Sequence, residues 1–194
     1  MRFPGAFNYS KIINAAVRQA DADHLLFLNN DMRVINADWL EALLEHSQRH
    51  DVGVVGARLL FPNGLPQHEG VGLMRAGPGN LNTGLPLIRD VVAVTGACTM
   101  VRRSVFDEVD GMDESLAVAF GDVDFCMRVH ARGYWIVYTP LAQLYHDEST
   151  SRGGLNPIHD ARIFCSRWGE VGEQRDPFLS RHILTPNPLT LRLE

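Results

Sequence analysis

Asn29 and Asp31 are the first residues whose types and spacing could do chemistry. They follow an apolar run, residues 25–28, that predicts a strand buried on both faces. Polar side chains at the carboxyl end of such a strand mark the place where open α/β sheets bind ligands. Two oxygen-bearing side chains separated by one residue can meet a hard cation such as Mg²⁺ or Mn²⁺. The alternative is a plain turn in which Asp31 forms an Asx-turn or a cap.

Asp122, Asp124 and His146 could belong to the same site. The two aspartates open a predicted helix, where carboxylates are also stabilised simply by exposed backbone N–H groups and by the helix dipole. His146 follows a predicted strand, where a histidine is either a metal ligand or a hydrogen-bonded surface residue. Taken one at a time, these residues leave both interpretations open.

The elements that must position these residues follow an α/β pattern in the first third of the chain. Residues 7–22 have the periodicity of an amphipathic helix with Asn8 or Ser10 as its cap, and residues 38–50 have that of a second helix. Residues 25–28 and 51–60 predict strands. The sequence therefore predicts helix, strand, helix and strand in succession.

The next part of the chain is less regular. Residues 61–89 lose the pattern, and the Gly-, Asn- and Pro-rich run 76–86 predicts a long mobile loop. Further on, the pattern predicts elements at the following residues: a β-branched stretch at 91–101, helices at 105–109, 122–131 and 158–168, and strands at 134–138, closed by Pro140, and at 142–145. Residues 176–194 predict an irregular end.

Composition excludes several classes of protein. The chain has 194 residues, of which 45% are hydrophobic, and this suits one domain with a substantial core. The net charge of -5 and the scattered basic residues argue against nucleic-acid binding. Three cysteines without CxxC spacing predict buried thiols rather than disulfides or zinc ligands. Without a signal-peptide core or a membrane-length apolar run, we expect a cytoplasmic protein.

Several separated motifs occur in an order that is informative as a set. They are Leu-Phe-Leu-Asn-Asn-Asp at 26–31, Val-Thr-Gly-Ala-Cys at 94–98, Phe-Gly-Asp-Val-Asp-Phe-Cys-Met-Arg at 120–128, Gly-Tyr at 133–134 and Tyr-His-Asp-Glu-Ser at 145–149. This series closely resembles family-2 glycosyltransferases with the GT-A fold, and most nearly the bacterial rhamnosyltransferase-like members. The resemblance implies a Rossmann-like mixed sheet flanked by helices and transfer from a nucleotide-diphosphate sugar to a glycan or lipid-linked acceptor.

The resemblance also implies a role for each candidate residue. Asn29 and Asp31 fall at the family's DXD motif, which holds a divalent cation, Mn²⁺ or Mg²⁺, against the donor diphosphate. Asn29 replaces the first acid of that motif, so Asp31 would carry most of the metal binding. His146 matches a position that completes the metal's coordination in relatives, and Asp122 matches the base of an inverting transfer.

The remaining roles concern the two substrates. The small residues Thr95, Gly96 and Ala97 would line the donor sugar and diphosphate. Asp124 and Arg128 would either shape the acceptor pocket or pair with one another. Arg152 would contact phosphate, unless it is an exposed arginine without a role.

The start of the chain departs from the family pattern, because nothing before residue 7 supplies the strands that usually grip the nucleotide base. We therefore expect residues 1–155 to be the carboxyl-side portion of an amino-terminally truncated GT-A domain, followed by a helical then irregular tail at 156–194. Uncovered apolar surface predicts self-association. A lipid-linked acceptor would place the protein peripherally at the inner face of the membrane. The alternatives are a non-catalytic remnant that needs a missing amino-terminal half, or a metal-dependent phosphoryl or nucleotidyl transferase.

Overall fold

A computed structural model describes residues 6–74, 77–147, 158–169 and 176–179. The helices are α1 (Tyr9–Val17), α2 (Trp39–Ser47), α3 (Arg103–Glu108), α4 (Gly121–Ala131) and α5 (Ile158–Trp168). The strands are β1 (His24–Leu28), β2 (Met32–Val34), β3 (Val52–Leu60), β4 (Pro66–His68), β5 (Val71–Met74), β6 (Gly77–Asn80), β7 (Arg89–Asp90), β8 (Cys98–Arg102) and β9 (Trp135–His146).

Most of the strands form one mixed sheet. Its order is β1-β8-β3-β9-β2, with β4 added to β3 and β7 added to β9. The β3–β9 pair is parallel, and the other pairs are antiparallel. A separate hairpin, β5–β6, completes the described strands. The predicted α/β class with a mixed sheet is therefore confirmed.

Helices cover both faces of the sheet, and each face has its own core. On one face Val54 and Ile136 of the sheet pack with Phe106 of α3, Phe125 of α4 and Phe164 of α5. The core on the opposite face packs α2 against the sheet, with the following fully or largely buried side chains: Ala42, Leu43, Val55, Leu59, Val137 and Leu144. The predicted helices at 38–50, 122–131 and 158–168 are confirmed, each within a few residues at its ends.

Two predictions about the first elements were wrong in detail. Helix α1 has Asn8 as its cap, as predicted, because Asn8 accepts a hydrogen bond from the Lys11 N–H, but the helix ends at Val17 and not at residue 22. Strand β1 is buried on one face only, with Leu25 and Phe27 inward and Leu28 45% exposed. Within the described residues β1 is an edge strand that pairs with β8 alone, and Leu26 on its other face packs against the core cluster that includes α2.

The loss of regular structure predicted for residues 61–89 was wrong in part, whereas the loop predicted at 76–86 contains β6 and has no helix or strand at residues 81–86. After a turn at residues 61–65, the chain forms β4, β5, β6 and β7. Glu69 follows β4, has no exposed surface and forms an ion pair with Arg58 of β3 at 3.0 Å. Its carboxylate also accepts hydrogen bonds from the Gly84 N–H at 2.8 Å and from the Thr83 hydroxyl at 3.3 Å. These polar contacts order a segment that has little apolar periodicity.

Pro140 does not close a strand, because β9 continues through it to His146. The ladder with β3 shifts at this point, since Ala57 pairs with Thr139 whereas Arg58 pairs with Gln143. Pro140 lies in the bulged residues, where the missing N–H removes no ladder hydrogen bond. The bulge lets one long strand cross the sheet and deliver His146 to its end.

The cysteines agree with the prediction of buried thiols at two of three positions. Cys98 and Cys126 are buried, and burial raises the pKa of each thiol to about 12. Cys165 is exposed. Among the described residues no helix is long and apolar enough to cross a membrane.

The Glu69–Arg58 ion pair provides a test of what holds the 61–89 segment. In Glu69→Ala the Arg58 guanidinium, whose side chain is 18% exposed, is left without its partner. We expect the free energy of unfolding to fall by about 3–5 kcal/mol, measured by urea denaturation. The control is Asp51→Ala, which removes the exposed Arg49–Asp51 pair and should leave stability nearly unchanged. Equal losses in the two variants would contradict the anchoring role of Glu69.

Candidate active site

Asp31 and His146 lie side by side because β2, which follows Asp31, pairs with the end of β9. Strand β2 pairs with the end of β9 so that Met32 is opposite His146, and the Asp147 N–H donates to the Asp31 carbonyl at 3.0 Å. The Oδ1 atom of Asp31 is 3.4 Å from Nε2 of His146. Both side chains are largely buried, with 21% and 14% of their surfaces exposed. The structure thus brings together two of the three predicted metal ligands.

Asn29 lies on the other side of this turn. Its backbone N–H donates to the carbonyl of Ala97 at 2.9 Å, which extends the β1–β8 ladder by one residue. This bond joins the predicted metal-binding turn to the predicted donor-binding segment, Thr95 to Ala97. Both segments therefore lie at the same end of the β1–β8 pair.

The segment from Thr95 to Ala97 is held by side chains from three other parts of the chain. Nε2 of His68 accepts a hydrogen bond from the Thr95 N–H at 3.2 Å, and Oδ2 of Asp122 accepts one from the Gly96 N–H at 2.9 Å. The Tyr9 hydroxyl donates to the Gly96 carbonyl at 2.7 Å. A β-carbon at Gly96 would lie 2.7 Å from that hydroxyl oxygen, so the close approach requires glycine.

Asp122 lies in the first turn of α4, partly exposed. Its Oδ1 accepts from the Val123 N–H at 2.9 Å, so each carboxylate oxygen is oriented by one backbone donor. The helix begins after Phe120, a non-glycine residue with φ of 60° whose ring stacks on Phe164 at 4.9 Å between centroids. A side chain in the left-handed region carries a cost that tertiary packing must offset, and such residues concentrate at functional sites.

Asp124 and Arg128 pair with each other, which is one of the two interpretations that the sequence left open. Asp124 has no exposed surface, and its Oδ2 accepts from Nε of Arg128 at 2.8 Å. Oδ1 accepts from Arg167 at 2.6 Å and from the Trp168 indole at 3.0 Å. Arg128 also donates to the carbonyls of Val109 and Gly111. These bonds tie α4 to α5 and to the loop after α3; acceptor binding by the pair stays a prediction.

Gln67 and His68 are two residues of the site that the sequence analysis missed. Gln67 contacts His146, with its Oε1 2.7 Å from Nδ1 of the imidazole, and His68 contacts Thr95. The Asn-Gly pair in the turn before β4 is a hairpin signal that could have identified this strand. Arg152 lies outside the described residues, so its predicted phosphate contact stays a prediction.

Together these contacts form a continuous chain. It runs from Asp31 to His146, then through the adjacent residues Gln67 and His68 to Thr95, and from there across one peptide to Gly96 and Asp122. The Asp31–His146 pair and the Asp122 carboxylate are therefore linked through an unbroken series of contacts.

The donor atoms of Asp31 and His146 suit a small hard cation whose remaining ligands are waters or substrate oxygens. In the described parts of the chain no three His, Cys, Asp or Glu residues cluster as a metal site. Two donors in adjacent octahedral positions on Mg²⁺ lie roughly 3.0 Å apart at metal–ligand distances of 2.1 Å. The 3.4 Å between Asp31 and His146 is close to that value. Mg²⁺ and similar ions commonly complete their coordination with waters and substrate phosphates.

The chain matches one family model and is similar to several known proteins. The family model described as Glycosyl transferase family 2 matches residues 1–110. The chain is 46% identical over 160 residues to the uncharacterized protein y4gI of Sinorhizobium fredii, a match that covers 76% of this chain and 18% of that protein. It is 37% identical over 205 residues to the O-antigen biosynthesis protein RfbC of Myxococcus xanthus, covering 96% of this chain and 16% of that protein.

A third match is shorter. The chain is 38% identical over 68 residues to the N-acetylglucosaminyl-diphospho-decaprenol L-rhamnosyltransferase of Mycobacterium tuberculosis, covering 35% of this chain and 22% of that protein. The chain spans about a sixth of the length of y4gI and RfbC. Among solved structures, GalNAc-T7 with UDP, GalNAc and Mn²⁺ superposes with a TM-score of 0.59 over 72% of this chain and 30% of that chain, at 11% identity. That likeness shows a shared GT-A fold.

The buried His68 makes the free energy of unfolding depend on pH. Burial lowers the pKa of His68 from 6.5 to about 4, so the folded protein holds this ring neutral. The unfolded chain binds a proton below pH 6.5 that the folded chain does not, and the stabilisation is lost as the pH falls from 6.5 towards 4. The linkage predicts a loss of about 2 kcal/mol between pH 7 and pH 5.

We expect His68→Gln to lack this part of the pH dependence. A glutamine Oε1 can accept from the Thr95 N–H as Nε2 does, but it does not titrate. The measurement is the free energy of urea unfolding at pH 7 and pH 5 for both proteins. His46, whose pKa burial also lowers, is present in both and cancels in the comparison. Identical pH profiles would contradict the assignment.

Proposed function

Because the chain belongs to glycosyl transferase family 2, we propose that it transfers a sugar from a nucleotide-diphosphate donor to a glycan or lipid-linked acceptor. The observation that carries the proposal is the continuous chain of contacts from the Asp31–His146 pair to the Asp122 carboxylate. A transferase of this kind needs one group that stabilises the leaving diphosphate and another that takes a proton from the acceptor. The Asp31–His146 pair is the candidate for the first group, and Asp122 is the candidate for the second.

Asp31 and His146 would hold a divalent cation, with Asn29 as a neutral oxygen donor beside them. The bound cation, Mn²⁺ or Mg²⁺, would supply neutralisation of the charge that grows on the diphosphate as the sugar C1–O bond breaks. Carboxylate oxygen and imidazole nitrogen are suitable donors for an ion of the Mn²⁺ type. The similar structure of GalNAc-T7 contains UDP and Mn²⁺, which supports a metal-dependent donor site here.

Asp122 would act as the base of an inverting transfer. The acceptor hydroxyl loses its proton to the carboxylate while its oxygen attacks C1 of the sugar from the side opposite the diphosphate. The Gly96 and Val123 N–H groups each bind one oxygen of Asp122, which fixes the plane of the carboxylate and leaves lone pairs for the proton. The small side chains of Thr95, Gly96 and Ala97 give the donor room beside it.

The relatives' names suggest the type of acceptor. One acts in O-antigen biosynthesis, and another is a rhamnosyltransferase whose name includes a lipid-linked diphosphate sugar. We propose a polysaccharide intermediate of this kind as acceptor for the present chain. A lipid-linked acceptor would favour peripheral association with the cytoplasmic face of a membrane; that location and self-association both stay predictions.

The first test identifies the donor site. We expect Mn²⁺ together with one of UDP, GDP, dTDP or CDP to raise the thermal unfolding temperature of the chain. Ligand at about a hundred times its dissociation constant stabilises the folded state by roughly 2.7 kcal/mol. The shift should require the metal and disappear in Asp31→Ala. If none of the four nucleotides raises the unfolding temperature, that result would contradict a working donor site and support the non-catalytic alternative.

The second test addresses the base. We expect Asp122→Asn to lower the rate of sugar transfer by a factor of about 10²–10⁴, while the thermal shift with Mn²⁺ and nucleotide stays near that of wild type. The asparagine Oδ1 can still accept from the Gly96 N–H, so the donor segment keeps its anchor. The exposed Asp21→Asn serves as the matched control. Loss of transfer together with nucleotide binding would argue against Asp122 as base.

A further inference from the structure

We propose that Gln67 is a positioning residue that sets the imidazole of His146 for metal binding through Nε2. This inference rests on the proposed function, because it takes Asp31 and His146 as the ligands of the divalent cation. It adds a residue to the site that acts through His146 rather than on the substrates. The Gln67 side chain makes two contacts with His146.

The backbone carbonyl of His146 favours one of the two orientations of the Gln67 amide. Nε2 of Gln67 lies 3.4 Å from this carbonyl oxygen, and Oε1 lies 2.7 Å from the Nδ1 atom of the ring. A carbonyl can only accept, so the NH₂ group must face it. The amide oxygen is then fixed against the imidazole.

The position of the amide oxygen in turn settles where the ring carries its proton. An oxygen acceptor 2.7 Å from Nδ1 requires that Nδ1 carries the proton. In the neutral imidazole the lone pair is then on Nε2, the nitrogen that faces Oδ1 of Asp31 at 3.4 Å. Two lone pairs at that distance repel each other unless a proton or a cation lies between them. Gln67 thus favours the imidazole form that a metal needs.

The position of Gln67 makes it suited to this task. It is 7% exposed and lies on β4, whose neighbour Glu69 is anchored by the buried ion pair with Arg58. A side chain locked in this way loses little entropy when it orients its partner. Hydrogen-bond partners behind a histidine ligand typically change metal affinity by about 10–100-fold when removed.

The test measures Mn²⁺ affinity of the full chain from the electron paramagnetic resonance signal of free Mn²⁺, with the metal alone as probe. We expect Gln67→Leu to raise the dissociation constant about 10–100-fold. Gln67→Glu, which keeps an oxygen acceptor for the Nδ1 proton, should restore affinity to that of wild type or better. Gln143→Leu makes the same change in a side chain of the strand that carries His146 and should have no effect.

A second measurement does not depend on any variant. In the long-range ¹H–¹⁵N spectrum of ¹⁵N-histidine-labelled wild type, Nδ1 of His146 should have the chemical shift of a protonated nitrogen. An unprotonated Nδ1 would overturn the proposal. So would a Gln67→Leu protein that folds cooperatively and binds Mn²⁺ as wild type does.

The outcomes separate this inference from the proposed function. If wild type binds Mn²⁺, Asp31→Ala and His146→Ala lose binding, and Gln67→Leu keeps it, then only the role of Gln67 fails. If wild type binds Mn²⁺ no better than Asp31→Ala does, the proposed metal site fails and the inference fails with it.

Discussion

The buried carboxylate of Glu69 is the constraint on which the arrangement of the site depends. A charge without access to water costs several kcal/mol unless donors surround it. Here Arg58 from β3 supplies the counter-charge, Thr83 and Gly84 supply hydrogen bonds, and Arg89 donates to the Glu69 carbonyl at 2.6 Å. Because all of these groups must converge on one point, the strand β4 is fixed against β3, and with it the two residues that support the candidate active site.

Those two residues are adjacent in the same strand and contact different partners. The β3–β4 ladder is bulged here, since Leu60 is opposite Pro66 and Leu59 is opposite His68, which leaves Gln67 as the extra residue of the bulge. Gln67 contacts the imidazole of His146, and His68 holds the Thr95 peptide next to the Asp122 carboxylate. One short strand therefore fixes the distance between the group proposed for the leaving diphosphate and the group proposed for the acceptor. Proton transfer and bond cleavage need such a fixed relation, since small errors in placement cost large factors in rate.

How far the sequence predicts this structure depends on the kind of interaction that orders each part. Helices α2, α4 and α5 have apolar periodicity that is visible in one sequence, and so they were predicted within a few residues. The segment that contains Glu69 is ordered by ion pairs and hydrogen bonds to residues far along the chain, which periodicity does not record. Likewise, Pro140 would interrupt an ideal strand, and only the shifted β3–β9 register shows why it does not. The motifs identified Asp31, Asp122 and His146 as candidates, whereas Gln67 needed coordinates because its proposed role rests on its contacts with His146.

The turn before β4 has a consequence for how this chain tolerates changes of length. Phe61 N–H bonds to the Leu65 carbonyl, Gly64 N–H bonds to the Phe61 carbonyl, and Asn63 accepts from the Leu65 N–H, so the connection has no spare residue. An insertion or deletion of one residue that shifted β4 by one position would break the contacts of Gln67 with His146 and of His68 with Thr95. The exposed residues 85–88, by contrast, carry no such register. Length variation among related chains should therefore be absent from the turn at residues 61–65 and concentrated at residues 85–88.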